Sequence, residues 1–471
     1  MAYYDNLGKF NNKIALIDEY GNKVTYTNMQ SICTEMRRVV KRGLVFAFCE
    51  NSIGSVCGYI SFLQNHVVPV LIDRNMDKEL IHNLSKIYEP DYLYIPKDMS
   101  AEFNYVACIY EGNGYMLCTT NKTSSYEMYD ELGLLLTTSG STGSPKLVRQ
   151  SYKNIQVNAE QIAEYLHITE NDRPITTLPM NYTYGLSIIN SHLLCGATVL
   201  LTTQTLMDRD FWTFFKTENA TTFGGVPYTY EILKKLRFFR MNLPSLKYMT
   251  QAGGKLTPEL HKEFAEFANE TGTQFIVMYG QCEATARMAY LPAEKSLEKY
   301  GSMGIAIPGG MLELVDVKGN VVTEPEVVGE LVYYGDNVTL GYAESKTDLL
   351  KGDERKGRLE TGDMAKRDTD GYYYIVGRKK RFLKLYGNRV NLDEVERWLK
   401  AYLDVELACG GSDDQLIVYL TMDGEESEGK IKHFLAEKTG LNMNAFSVKY
   451  INEIPKNEAG KILYGKLEGA V

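Results

Sequence analysis

Residues 134–148 read LLLTTSGSTGSPKLV. Three leucines end an apolar run and lead into a loop of small hydroxyl residues and glycines that closes on Pro145 and Lys146. Gly140 and Gly143 let backbone N–H groups come close to a polyanion, and Thr138, Ser139, Ser141 and Thr142 add hydroxyl donors. Such a loop can cradle phosphates. It is not the loop of P-loop NTPases, because Ser144 and Pro145 separate Gly143 from Lys146 and a leucine follows the lysine. Alone, it could equally be an ordinary turn of small residues.

On either side of the loop the chain alternates. LGLLLTT before it reads as a buried strand, and YKNIQVNAEQIAEYL after it as an amphipathic helix with Ile155, Ala159 and Ile162 on one side. Upstream, LVFAFCE, VVPVLID and DYLYIP read as strands, with IGSVCGYISFLQN and MDKELIHNLSKIYE as the helices between them. Strands alternating with helices imply βαβ units and a parallel sheet covered on its faces.

At 471 residues the chain exceeds one ordinary core, so two or more domains are expected. With 44% hydrophobic and 24% charged residues it has the balance of a globular protein, and a net charge of −9 speaks against nucleic acid or an anionic membrane as partner. The start, MAYYDNLGKF, lacks the basic flank and apolar core of a signal peptide, and the apolar region 43–72 is broken by Glu50, Asn51, Gln64, Asn65 and His66. A cytoplasmic protein with no membrane span is expected. The eight cysteines show no CxxC pair and no zinc spacing, so buried free thiols are the expectation. No motif partners the six histidines, which read as surface or core filling.

Beyond residue 310 the texture changes. Residues 311–335 alternate apolar with polar around a KGN turn, and RDTDGYYYIVGR at 367–378 supplies another turn, as antiparallel hairpins do. RKKRFLK then raises the charge, followed by a short helix, LDEVERWLKAYL, and a strand, DQLIVYLTM. A boundary near Lys380 gives a large domain, 1–379, and a small α+β domain, 380–471.

The string from Thr138 to Lys146 resembles the signature loop of the acyl-adenylate-forming superfamily, which includes acyl-CoA synthetases, aryl-acid ligases and peptide-synthetase adenylation domains. Further segments match that family's motifs in order: LPMNYTYG (178–185), QAGGKL (251–256), MYGQCEAT (278–285), GELVYYGDNVTLGY (329–342), ETGDMA (360–365), GRKKRFLKLYGNRVNLDEVE (377–396) and PKNEAGKI (455–462). The resemblance spans nearly the whole chain. It implies an α/β fold: a large N-terminal domain of parallel and mixed sheets flanked by helices with a small barrel-like β subdomain, and a small mobile α+β C-terminal domain.

It also implies an activity, ATP-dependent activation of a carboxylic acid to an acyl-AMP with release of pyrophosphate, then transfer to a pantetheine thiol of coenzyme A or of an acyl or peptidyl carrier protein. The acid's carboxylate is already anionic, so no general base is required, and none of the usual nucleophile–base constellations is present. By resemblance, Thr138, Ser139, Gly140, Ser141, Thr142, Gly143 and Lys146 bind the ATP phosphates, and Glu283 with Thr142 ligates Mg²⁺. Gly253, Gly254 and Tyr279 border the adenine, Gly280 belongs to the same ATP-binding set, Asp363 accepts from the ribose hydroxyls with Arg378 as a second ribose or phosphate contact, and Lys461 is the catalytic ammonium.

Tyr182, Gly185, Gly225, Val226, Ala252, Tyr279 and Ile305 would line the acyl pocket, whose many uncharged residues favour an aryl or short-chain acid. Lys380 would be the hinge, with Lys384, Gly387 and Arg389 on the face used for thiolation. Two departures stand out: Cys282 replaces the family's usual threonine, and the uncharged Thr183 lies where relatives that activate α-amino acids carry an aspartate. An amine acceptor in place of a thiol is the main alternative. A light-emitting oxygenase is not specified by these residues, and a noncatalytic relative should have lost Lys461 or Glu283.

Overall fold

The computed structural model describes residues 2–121, 127–137, 146–386, 388–403, 405–412, 415–421, 425–456 and 462–467. Of the expected site residues, Thr138, Ser139, Gly140, Ser141, Thr142, Gly143, Gly387 and Lys461 lie outside these, as does the side chain of Arg389.

The βαβ reading of residues 44–96 gives the centre of an eight-stranded sheet. Leu132–Thr137, Val68–Asp73, Leu44–Cys49 and Tyr92–Pro96 run parallel in that order. Antiparallel strands complete both sides: Tyr115–Thr119 and Ala107–Gly112 at one, Leu147–Ser151 and Gly341–Ala343 at the other. Period-two geometry explains why the central strands carry no polar face. Leu44, Phe46 and Phe48 point into one core and Val45, Ala47 and Cys49 into another, so both faces must be apolar. Helix Ile53–Gln64 is buried on nearly every side, which matches its lack of a polar stripe.

The region around the glycine loop departs from the strand–loop–helix expectation. An additional strand, Leu147–Ser151, follows the loop and pairs antiparallel with Leu132–Thr137, so the loop joins two strands of a hairpin. Arg149 and Gln150 disguise this strand, since both are polar and both are buried. Burial of the guanidinium is possible because the carbonyls of Leu340, Tyr342 and Gly352 accept its hydrogen bonds and Glu354 supplies the counter-charge. The helix follows directly: Ser151 caps Tyr152–Tyr165, its hydroxyl accepting the Asn154 N–H at 3.0 Å.

A five-stranded sheet carries the later motifs. Thr222–Gly225, Tyr248–Gln251 and Gln274–Tyr279 are parallel neighbours, and Ala289–Tyr290 and Ile305–Ala306 extend them antiparallel. A three-stranded sheet of Val199–Leu201, Ile14–Asp18 and Lys23–Thr25 completes the larger of two compact units, whose described residues fall within Met1–Thr138, Ser144–Met311 and Tyr333–Leu359.

The second unit takes in Leu312–Val332 and Glu360–Val471. Most residues of a four-stranded sheet fall in it, in the order Met311–Val315, Gly329–Tyr334, Arg358–Arg367, Tyr373–Arg378, with tight turns held by Asp316 and Asp368. It also holds the expected α+β part: a hairpin of Phe382–Leu385 and Asn388–Asn391, helices Leu392–Tyr402 and Glu425–Thr439, and a sheet of Leu407–Ser412, Gln415–Leu420 and Phe446–Tyr450. Leu385, Val395, Leu399, Leu416 and Leu435 share its core.

Candidate active site

Three of the sequence motifs emerge side by side. Gly225 and Val226, Gln251 to Gly254, and Tyr279 to Glu283 leave the carboxyl ends of three adjacent parallel strands, the position at which open α/β sheets bind ligands. Gly253 turns in the left-handed region at φ 82°. The side chain of Gln251 holds this turn, its Nε2 donating to the carbonyls of Ala252 at 3.2 Å and Gly254 at 2.9 Å. A side chain at Gly253 would meet the Tyr182 hydroxyl at 2.7 Å and Val226 at 3.0 Å, which places Tyr182 against the expected adenine turn.

Gly280 is enforced by packing. A Cβ there would lie 1.8 Å from the Ala286 carbonyl oxygen, a backbone atom that cannot swing away. Gly280→Ala is therefore expected to destabilise the fold by about 3 kcal/mol or more, read as a drop in the denaturant midpoint; an unchanged midpoint would contradict the packing seen here.

Glu283 is the best-supported side chain of the group. Its carbonyl accepts from the Thr339 N–H at 3.0 Å, the Thr339 hydroxyl at 2.9 Å and Arg355 Nη1 at 2.9 Å, which fixes the backbone. The Tyr342 hydroxyl donates to its Oε1 at 2.6 Å, leaving Oε2 without a protein partner among the described residues. Lys146 Nζ lies 3.6 Å from the centroid of the same Tyr342 ring and 3.6 Å from Glu344, and the Arg355 guanidinium carbon is 4.6 Å from that ring. The lysine that ends the glycine loop and the carboxylate of MYGQCE thus meet through one tyrosine. Tyr342, Thr339 and Arg355 have no role in the sequence reading, although the first two lie in a quoted motif.

This arrangement suits Mg²⁺, which takes one or two carboxylates together with substrate phosphate oxygens and water. Among the described residues no group of three or more His, Cys, Asp or Glu forms a separate metal cage.

Cys282 is half-buried and packs against the central core. Burial first, and then the Glu283 carboxylate, push its thiol well above the ordinary range, so it is neither thiolate nor nucleophile. Iodoacetamide at pH 8 is expected to label the exposed Cys108 and to spare Cys282, as read by peptide mass spectrometry; faster labelling of Cys282 would contradict the assignment. His192 and His261 are buried and brought down to about 4 by desolvation, with structural partners in Tyr248 and Ser296, so neither is a base.

The expected acyl-pocket residues divide into three sets. Tyr182, Val226 and Ala252 share one apolar cluster with Tyr184 and Met278. The Cβ positions of Gly185 and Gly225 are occupied instead by the Pro179 carbonyl and by Thr229 and Tyr230, so these glycines serve close packing. Ile305 pairs with Tyr290 on the antiparallel extension, and Tyr279 is half-buried with its hydroxyl 3.2 Å from Gln281 Nε2.

Within the second unit, Asp363 and Arg378 are cross-strand partners, with Asp363 Oδ1 3.8 Å from Arg378 Nε. Asp363 is largely buried, whereas Arg378 is half-exposed and its N–H is held by Asp393 at 3.1 Å. Lys380 and Lys384 are exposed. An isolated bridge between Lys456 and Ile462 closes the ends of the segment that carries Lys461.

A family model for AMP-binding enzymes matches residues 4–343. The chain is 26% identical over 468 residues to a 2-succinylbenzoate–CoA ligase of Bacillus cereus, covering 95% of this chain and 94% of that one. It is 29% identical over 350 residues to an oxalate–CoA ligase of Arabidopsis thaliana, covering 71% and 66%. The fold is similar to o-succinylbenzoate coenzyme A synthetase from Bacillus subtilis in complex with ATP and magnesium ion, with a TM-score of 0.80, 22% identity and 99% of both chains covered. With its motifs at the ends of one parallel sheet and most of its length matched by that family model, the chain belongs to the AMP-binding enzyme family.

Proposed function

We propose that this protein is an acid–thiol ligase that activates a small carboxylic acid with ATP and passes the acyl group to coenzyme A, with a carrier-protein pantetheine as the related acceptor. The observation that carries this is the Glu283 carboxylate, held by Tyr342 beside Lys146 where three motif-bearing strands end side by side. Relatives named as CoA ligases support the thiol acceptor over an amine. Among the described residues no helix is long and apolar enough to cross a membrane, and the cytoplasm is the expected compartment.

In the first step one oxygen of the acid's carboxylate bonds to the α-phosphorus while the bond to pyrophosphate breaks. No proton is removed, so the chain's task is to hold two anions in line and neutralise charge. Glu283 would hold Mg²⁺ with Thr142, and the ion when bound supplies positive charge to phosphate oxygens. The loop from Thr138 to Gly143, with Lys146, binds the phosphates. Tyr279 and the Gly253–Gly254 turn hold the base, Asp363 accepts from the ribose hydroxyls with Arg378 beside it, and the Lys461 ammonium stabilises the charge that develops.

In the second step the thiol sulfur attacks the acyl carbonyl carbon, AMP leaves, and the thiol proton passes to solvent. Lys380 serves as the hinge between the steps, and Lys384 and Gly387 lie on the face used for the thiol. The test is a panel of carboxylic acids read by acid-dependent ATP–pyrophosphate exchange, with and without coenzyme A. Exchange with some acid and thioester formation on adding coenzyme A are expected; exchange that ignores acid would contradict the reading.

A further inference from the structure

The chain turns back directly after Glu283, and the turn is strained. Thr285 sits at φ 65°, ψ −48°, and the Ala286 N–H donates across it to the Ala284 carbonyl at 2.7 Å. These are the marks of a three-residue γ-turn of the rare, positive-φ kind. Among the described residues Thr285 is the only β-branched one at positive φ. A branched Cβ crowds the backbone there, so the conformation persists only where the surroundings over-determine it.

The surroundings do so from three sides. The Thr285 hydroxyl donates to the Asn337 carbonyl at 2.7 Å, and the Thr183 hydroxyl donates to the Thr285 carbonyl. The fully buried side chain of Asn337 spans the turn: its Nδ2 donates to the carbonyls of Ala284 and Arg287, each at 3.0 Å, and its Oδ1 accepts from the Tyr333 hydroxyl at 2.8 Å. Bridging two carbonyls takes two N–H donors on one group, which an amide has and a carboxylate of the same shape lacks. Asn337 is itself gripped on both flanks. Asn154, in the first turn of the helix that follows the glycine-loop hairpin, donates to the carbonyls of Asp336 at 2.7 Å and Val338 at 2.9 Å. Two buried asparagines thus connect that hairpin to the turn behind Glu283.

Ala284 is where the strain reaches the site. It shares the short 3-10 turn Cys282–Ala284 with Glu283, and its carbonyl is the one that Asn337 holds. If Thr285 relaxed to negative φ, the Ala284 peptide would rotate and carry Glu283 away from Thr339, Arg355 and Tyr342.

We propose that Asn337 is a positioning residue for adenylation, locking the strained turn at Thr285 and so aiming the Glu283 carboxylate at the magnesium ion. The inference rests on the reading of Glu283 as metal ligand and goes beyond it by naming what holds that carboxylate in place. The readout is the magnesium concentration giving half-maximal acid-dependent ATP–pyrophosphate exchange on the full chain, with the melting temperature measured alongside. Asn337→Ala is expected to raise that concentration about 10-fold, the lower end of what losing an orienting group costs a metal site. Adding Thr285→Gly should bring it back to within about 3-fold of wild type, because glycine takes positive φ at no steric cost and the turn no longer has to be forced.

A role in stability alone would lower the melting temperature and leave the magnesium dependence where it was. An unchanged half-maximal concentration in a folded Asn337→Ala therefore overturns the inference, as does a double variant no better than the single one. Should Asn337→Ala not fold, Thr285→Val decides, since it keeps the shape and the strain while deleting the hydroxyl bond to Asn337: a raised magnesium requirement supports the inference and an unchanged one overturns it. A shift in Glu283→Gln with none in Asn337→Ala overturns this inference alone, whereas no shift in Glu283→Gln overturns the reading of Glu283 beneath it.

Discussion

Lys461→Ala should lower acid-dependent ATP–pyrophosphate exchange by about 10²- to 10³-fold, the usual cost of deleting one group that stabilises transition-state charge in a closed site. The reason is electrostatic. As the carboxylate oxygen approaches the α-phosphorus, two anions are forced together and charge builds on the bridging oxygens, and a single ammonium can neutralise both. Isolated on a chain terminus, a lysine would be solvated and worth little.

The ends of its segment are fixed, however. Lys456 and Ile462 bridge, the Leu463 N–H donates to the Pro455 carbonyl at 2.8 Å, and Tyr464 donates to Glu396 at 3.0 Å while lying 3.6 Å from the Arg381 guanidinium. That network should survive the substitution, so the melting temperature and ATP affinity are expected to stay near wild type. Thioester formation from a supplied acyl-AMP should fall far less than exchange does, because the thiol step does not meet the pentavalent phosphorus. A variant that keeps most of its exchange removes Lys461 from the chemistry.

Glu283→Gln should lower kcat/KM for ATP by about 100-fold, near the upper end of what losing a carefully oriented metal-site group costs. The amide keeps the volume and can still accept the hydrogen bond from Tyr342, so folding should be preserved while the negative charge is lost. The diagnostic readout is the magnesium titration: the concentration giving half-maximal exchange should rise along with the loss. Tyr342→Phe, which leaves the carboxylate charged but unsteered, should show a loss of about 10-fold in the same direction. An unchanged magnesium dependence in Glu283→Gln would place the ion elsewhere.

Much of the fold could be read from the chain because local pattern and tertiary demand agree between residues 44 and 96. Strands buried on both faces must be apolar throughout, and these are. The strand Leu147–Ser151 escaped that reasoning because Arg149 and Gln150 look exposed in sequence, and only carbonyls and a carboxylate nearly 200 residues away make Arg149 burial possible. The same distance problem hid the support of Glu283. Tyr342 lies 59 positions from it, and no local spacing links the two.

Motif residues whose own side-chain chemistry suggests a role, such as Glu283 and Asp363, could be picked out from the sequence as candidates. Those that act through another residue, Tyr342, Gln251 and Arg355, could not. Gly185 and Gly225 illustrate a second limit, since a glycine in a motif can be present for a ligand or for a neighbouring backbone, and only the position of the absent Cβ distinguishes them.

The most direct measurement follows one oxygen atom. A carboxylic acid that supports exchange, labelled with ¹⁸O in its carboxylate, is incubated with ATP, Mg²⁺ and coenzyme A, and the nucleotide product is weighed by mass spectrometry. Attack of the carboxylate on the α-phosphorus leaves AMP carrying one ¹⁸O and pyrophosphate carrying none. ADP as the product, or AMP without the label, would contradict the acyl-adenylate account.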